Sequence, residues 1–122
     1  VDEKSGHAII QVSADGENSI VLYAGANHKI SREHIDEVLE NFGKGDIIVL
    51  QNEISNLEYV IDRAYEIGMQ IVFNCAPIGN NVFSLDFSKI SCVILNEVEM
   101  CAIAGCDDFD GGIEAMQKKI PI

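Results

Sequence analysis

The sequence predicts an α/β fold: a Rossmann-like layered parallel sheet with flanking helices, preceded by an N-terminal β-hairpin. Three observations carry this prediction. Short, continuous apolar runs at 46–51, 70–74 and 92–96 read as strands, the pattern expected of strands covered on both faces. Between them lies a stretch with the i, i+3, i+4, i+7 spacing of an amphipathic helix. Strand–helix alternation of this kind implies a parallel sheet wrapped by helices, with short connections of fixed hand.

The elements follow in order. "HAIIQVS" and "NSIVLYA" are rich in β-branched residues, and Asp15-Gly16 between them is a turn signal. They form a hairpin over 7–24, with Ala8, Ile10 and Val12 on one face and Ile9, Gln11 and Ser13 on the other. The hairpin breaks the alternation and is expected to stand apart as a flap or edge. Ser31 caps the next helix, with Glu33 in its first turn. Ile35, Val38, Leu39 and Phe42 make its apolar stripe, and Gly43 suits its exit. "DIIVLQ" at 46–51 is the first covered strand. Ser55-Asn56-Leu57-Glu58 matches a capping box. Leu57, Val60, Ile61 and Ala64 supply a buried stripe that Gly68 stops. "QIVFN" and "CVILN" are the second and third covered strands. A further helix runs to Gly105, and a last one spans about 112–119.

Composition narrows the function classes. A hydrophobic content of 48% argues against a disordered chain, and 122 residues make one domain the default. A net charge of −12 with eight basic residues disfavours a phosphate-backbone surface, so no nucleic-acid partner is expected. No apolar run approaches the roughly 20 residues of a membrane helix, and the first residues have no secretory pattern. The expectation is a cytoplasmic protein without a membrane partner. Cys75, Cys92, Cys101 and Cys106 read as reduced thiols. Cys101 and Cys106 lack the further ligands of a zinc site.

Polar residues gather where the strands end. The three covered strands finish at Gln51-Asn52-Glu53, at Asn74, and at Asn96 to Glu99. In open parallel sheets, ligands bind beyond the carboxyl ends of the strands. Asn96 and Glu99 share one face if a helix starts at Asn96. Helix-start electrostatics alone also favours carboxylates there, whereas a carboxylate facing the sheet edge suits Mg²⁺ held through water. Two segments are set aside. Gly43-Lys44-Gly45-Asp46 precedes a strand, unlike a phosphate loop. Asp107-Asp108-Phe109-Asp110-Gly111 lacks the spacing of a calcium loop and reads as a solvated turn. His7, His28 and His34 have no ligand spacing.

Taken in order, "SGHAIIQV", "DGENSIVLYAGAN", "DIIVLQNE", "VFNCAP" and "VILNEVE" resemble the ribokinase family of sugar kinases, from about Ser5 to Pro121. The resemblance implies a partial ribokinase-like fold, with 1–25 as a lid hairpin portion and 26–122 as the central part of the kinase domain. It implies an ATP-dependent carbohydrate kinase that transfers the γ-phosphate to a sugar hydroxyl, using Mg²⁺. Ala8, Ile10 and Glu53 match sugar-contacting positions, Asn96 a position near the nucleotide phosphates, Glu99 one that organises Mg²⁺ and its waters, and Asn74 a supporting one. The partners implied are a pentose or hexose, ATP, and a second copy met through the lid. Cys75 stands where the family has Pro, and His7 where a small or apolar residue is usual. The family's glycine-rich sugar-binding segment, its catalytic Asp turn and any monovalent-cation site are expected outside this stretch. No catalytic residue is therefore assigned within it, and the 122 residues alone are expected to be inactive. A nucleoside kinase and a non-catalytic α/β binding domain are the competing readings.

Overall fold

The computed structural model describes residues 2–120. Val1, Ile122 and Pro121, where the resemblance ends, lie outside the described residues. Strands β1 (His7–Val12) and β2 (Asn18–Tyr23) pair antiparallel, with Ala8 opposite Leu22 and Ile10 opposite Ile20. The loop closes with Ser13 N donating to Glu17 O at 2.9 Å and with Gly16 at φ 88°. All twelve strand residues are exposed, so the hairpin stands off the body as the sequence predicts.

A 3-10 turn at Gly25–Lys29 leads into α1 (Arg32–Leu39), where Ser31 Oγ accepts from His34 N at 3.3 Å. The expected stripe is only half used. Ile35 and Leu39 are buried, whereas Val38 and Phe42 are exposed. The helix ends at Leu39 with Glu40 as its cap, so Phe42 and Gly43 fall beyond it. Asp36 joins α1 to α2 (Leu57–Ile67), accepting from Tyr59 Oη at 2.7 Å and Arg63 Nε at 2.9 Å. Those two donors, the Tyr59 hydroxyl first, hold the Asp36 carboxyl below its ordinary range.

The capping box expected at Ser55–Glu58 does not form. Asn56 is the N-cap of α2, in the left-handed region at φ 58° and without a side-chain cap bond. Ser55 Oγ donates instead to Ile30 O at 2.8 Å, and Asn56 Nδ2 to the same oxygen at 2.7 Å. A tertiary acceptor outcompetes the local one, as short polar side chains readily permit. The buried stripe of α2 and its Gly68 stop, at φ 87°, are as predicted.

Strands β3 (Ile47–Gln51), β4 (Gln70–Asn74) and β5 (Cys92–Ile94) form a parallel sheet in the order β3-β4-β5. The third strand is three residues long rather than the five expected. Alternation puts Ile48, Leu50, Ile71, Phe73 and Val93 on one face and Ile47, Val49, Val72 and Ile94 on the other. The first face is packed: α2 lies on β4, and Phe73 and Ile71 are fully buried. The second face is open, with Val49 69% and Ile47 61% exposed. The expectation of strands covered on both faces is thus corrected. Among the described residues, one layer of helix covers the sheet.

Residues 75–91 cross from β4 to β5 and add Val82, Leu85, Phe87 and Ile90 to the core. Helix α3 (Glu97–Ala104) ends at Gly105 as predicted. Helix α4 (Phe109–Gln117) starts earlier than expected. Asp108 caps it, accepting from Gly111 N at 2.8 Å, so most of the presumed solvated turn is helical.

Candidate functional site

Parallel pairing decides what the strand ends share. Gln51 is in register with Asn74, and Asn74 with Ile94. Glu53, Asn74 and Asn96 therefore all leave the same carboxyl edge of the sheet. Their side chains do different things there.

A cleft of about 680 Å³ opens between the root of the hairpin and this edge. The hairpin contributes Gly6, His7, Ala8, Leu22 and Tyr23; the 3-10 turn contributes Asn27 and His28; the end of β3 contributes Asn52, Glu53 and Ile54. Pro77 and Asn81 close the far wall. The lining holds one carboxylate and no lysine or arginine. Glu53 is exposed to it and has no protein hydrogen bond among the described residues, so both carboxylate oxygens are free to accept from a ligand.

Neighbouring amides fix the wall beside Glu53. Asn52 N donates to Ala76 O at 3.3 Å, Asn52 Nδ2 to Pro77 O at 2.7 Å, and Asn81 Nδ2 to Asn52 Oδ1 at 2.6 Å. Asn74 stays out of the cleft. Its Oδ1 accepts from Ala76 N at 3.1 Å, shaping the turn before the cis Ala76-Pro77 bond. The hairpin root is anchored as well. Ala26 N donates to Lys4 O at 2.8 Å, Tyr23 Oη donates to Glu3 at 2.9 Å, and the His7 and Tyr23 rings lie 5.1 Å apart.

Asn96 and Glu99 form a reciprocal capping box. Asn96 Oδ1 accepts from Glu99 N at 2.8 Å, and Glu99 Oε2 accepts from Asn96 N at 2.9 Å. The two residues therefore share a face, and the box starts α3. One Glu99 oxygen is left over. The carboxylate also lies near the end of β4: burial, and then the Glu99 charge, push the Cys75 thiol up to about 12.

The structure thus brings two of the sequence-derived residues, Ala8 and Glu53, into one cleft. Ile10 lies on the same hairpin face as Ala8 but beyond the lining, and Asn74, Asn96 and Glu99 lie outside it. Asn27, His28, Asn52 and Asn81 were not singled out as site residues. Asn52 and Asn81 are joined by an amide–amide hydrogen bond across 29 residues of sequence, which no local pattern reveals, and Asn27 and His28 enter the lining through the 3-10 turn. No group of three carboxylate, histidine or cysteine ligands occurs among the described residues.

A β-hairpin standing beside the carboxyl edge of a three-stranded parallel sheet, with a cleft between them, makes this an α/β protein of ribokinase-like fold. The chain belongs to the ribokinase family. It is 32% identical over 103 residues to a deoxyribokinase of Salmonella typhi, a match that takes in 83% of this chain and 34% of that protein. A Giardia lamblia ribokinase structure superposes with a TM-score of 0.72 at 28% identity, over 98% of this chain and 40% of that one. The Arabidopsis thaliana ribokinase complexed with ribose and ATP gives a TM-score of 0.65 at 28% identity, over 96% of this chain and 39% of that one. The chain spans about a third of the length of the curated relatives it matches. No protein-family profile matches it.

Proposed function

We propose that this chain supplies the sugar-gripping cleft and lid of a kinase that moves the γ-phosphate of ATP to a sugar hydroxyl. The observation that carries this reading is the cleft that joins Ala8 of the hairpin to the unpartnered carboxylate of Glu53. A free carboxylate flanked by fixed amides is suited to hydroxyl groups, and the absence of lysine and arginine from the lining suits an uncharged ligand. The Arabidopsis relative, solved with ribose and ATP, supports the same choice. In this reading Ala8 and Leu22 form the apolar roof, Ile10 joins them as the hairpin closes, and Asn74 holds the turn behind the cleft. A cytoplasmic setting accords with four free thiols. No described helix is long and apolar enough to cross a membrane.

The test uses a protein of ribokinase length that contains these residues, with D-ribose and 2-deoxy-D-ribose as probes. Glu53→Ala is expected to raise the sugar KM about 10- to 100-fold, the roughly 1–3 kcal/mol expected when a buried hydroxyl loses its acceptor. The ATP KM should hold. Equal losses for sugar and ATP, or no sugar-dependent ADP from the parent protein, would reject the reading in favour of a binding module.

Asn96 and Glu99 are assigned to the phosphate and metal end of the site. The donor set fits a hydrated Mg²⁺ shared with substrate phosphates, because Glu99 has one oxygen outside the capping box. It does not fit a closed protein cage. When bound, the ion would offset charge on the transferred phosphoryl group. Glu99→Gln keeps the box, since glutamine accepts the same bond. Stability should stay within about 0.5 kcal/mol of the parent, while the Mg²⁺ concentration for half-maximal turnover rises. Glu97→Gln should change neither. Matching Mg²⁺ titrations for the two variants would remove the metal role.

The hairpin face that carries Ile9 and Val21, 57% and 63% exposed, is assigned to a second copy of the protein. Unpaired, apolar hairpins invite such association. Light scattering is expected to give a dimer that Val21→Lys dissociates; a monomer at high concentration would contradict this.

A further inference from the structure

We propose that Cys101 and Cys106 form a dithiol site that closes to an intrachain disulfide on meeting a low-molecular-weight disulfide such as oxidised glutathione. The site is built by the end of α3. Gly105, at φ 70°, turns the chain back, and both Gly105 N and Cys106 N donate to Cys101 O, at 2.9 and 3.2 Å. This closure brings the side chain after the turn onto the one three positions before the helix end. Here those two side chains are thiols. Both sulfurs address one acceptor, Asp108 O, from 3.6 Å (Cys101) and 3.4 Å (Cys106). A direct backbone hydrogen bond thus holds the two residues close, as a disulfide requires.

Apolar contact at a helix end would be served equally by alanine or leucine, and it does not call for two sulfurs on one oxygen. The other two thiols are set apart. Cys75 is fully buried, and Cys92 is exposed with no thiol partner. The space around Cys106 also matters. A methyl group on Gly112 would sit 3.1 Å from Cys106 Sγ and 2.7 Å from Met100 Cε. On that side α4 packs closely against Cys106 Sγ, and the neighbouring thiol of Cys101 is the group placed to displace glutathione from a mixed disulfide.

The chemistry balances in two exchanges. One thiolate attacks a glutathione sulfur, forms a mixed disulfide and releases one glutathione. The second thiolate displaces the other. Two S–H bonds are lost and one S–S bond forms, and the two released glutathione thiols carry the protons and electrons. Burial first, and then Cys106, raise the Cys101 thiol above its ordinary range, so the exchange should quicken as pH rises.

The test treats the 122-residue chain with oxidised glutathione under native conditions and maps its thiols by digestion and mass spectrometry. The expected product links Cys101 to Cys106, is lighter by two hydrogens and reverts with dithiothreitol, while Cys92 carries glutathione and Cys75 stays free. In Cys106→Ser the internal link is lost and Cys101 holds a stable adduct. Stable glutathione on Cys101 or Cys106 of the parent chain, a link between two chains through either residue, or free Cys101 and Cys106 after Cys92 has reacted would each overturn the proposal.

Discussion

Phe73→Ala is expected to lower stability by about 3–5 kcal/mol, the range for emptying a fully buried aromatic site. Phe73 lies on the central strand β4, paired on both sides, with its ring on the helix-covered face and no exposure at all. Neighbouring strands prevent collapse into the void. The loss is large against the roughly 5–15 kcal/mol available to an ordinary domain. Urea unfolding followed by circular dichroism measures it. Val49→Ala on the opposite face is the control. At 69% exposure it should cost no more than about 1 kcal/mol. Equal losses from the two variants would mean that both faces of the sheet are packed.

Gly25→Ala is expected to release the hairpin from the body at a cost of about 2–4 kcal/mol. Gly25 sits at φ 52°, and a Cβ there would lie 2.3 Å from Lys4 O, a backbone atom that cannot rotate away. The left-handed conformation alone costs an alanine about 1–2 kcal/mol. Relieving the clash also breaks the bond from Ala26 N to Lys4 O, worth about 1 kcal/mol. The chain can escape by letting residues 4–6 peel away, so the loss is local. Hydrogen exchange should show β1 and β2 losing protection while β3, β4 and β5 keep theirs. Since the cleft is walled partly by the hairpin root, sugar affinity in the ribokinase-length protein should fall with it. Unchanged hairpin protection would contradict this account.

Both variants bear on how far local pattern reaches. The hairpin, the stripe of α2 and the Gly68 and Gly105 stops are legible from neighbours within one or two turns of chain. So is the polar edge, because parallel strands must present their carboxyl ends together; Glu53 lies on that edge, and its choice as a sugar contact comes from the family resemblance. Val38 and Phe42 obey the same helical period as Ile35 yet remain exposed, because burial depends on what packs opposite. Ser55 carries a capping pattern but donates to Ile30, a tertiary acceptor that sequence spacing cannot foresee. Asn52 belongs to the polar edge read from the sequence, but its bond to Asn81, 29 residues away, which fixes the cleft wall, has no local signal.

The sequence by itself determined the α/β class, the order of its main strands and helices, the standing hairpin and the polar carboxyl edge. These depend on period, turn chemistry and parallel pairing, which act over short stretches of chain. Only the tertiary structure decided that one sheet face stays open among the described residues, that Asn96 and Glu99 engage each other as a capping box, and that Ala8 and Glu53 face one cleft. Each of these depends on which distant groups come within a few ångströms, and hydrogen bonds and packing contacts act only over that range.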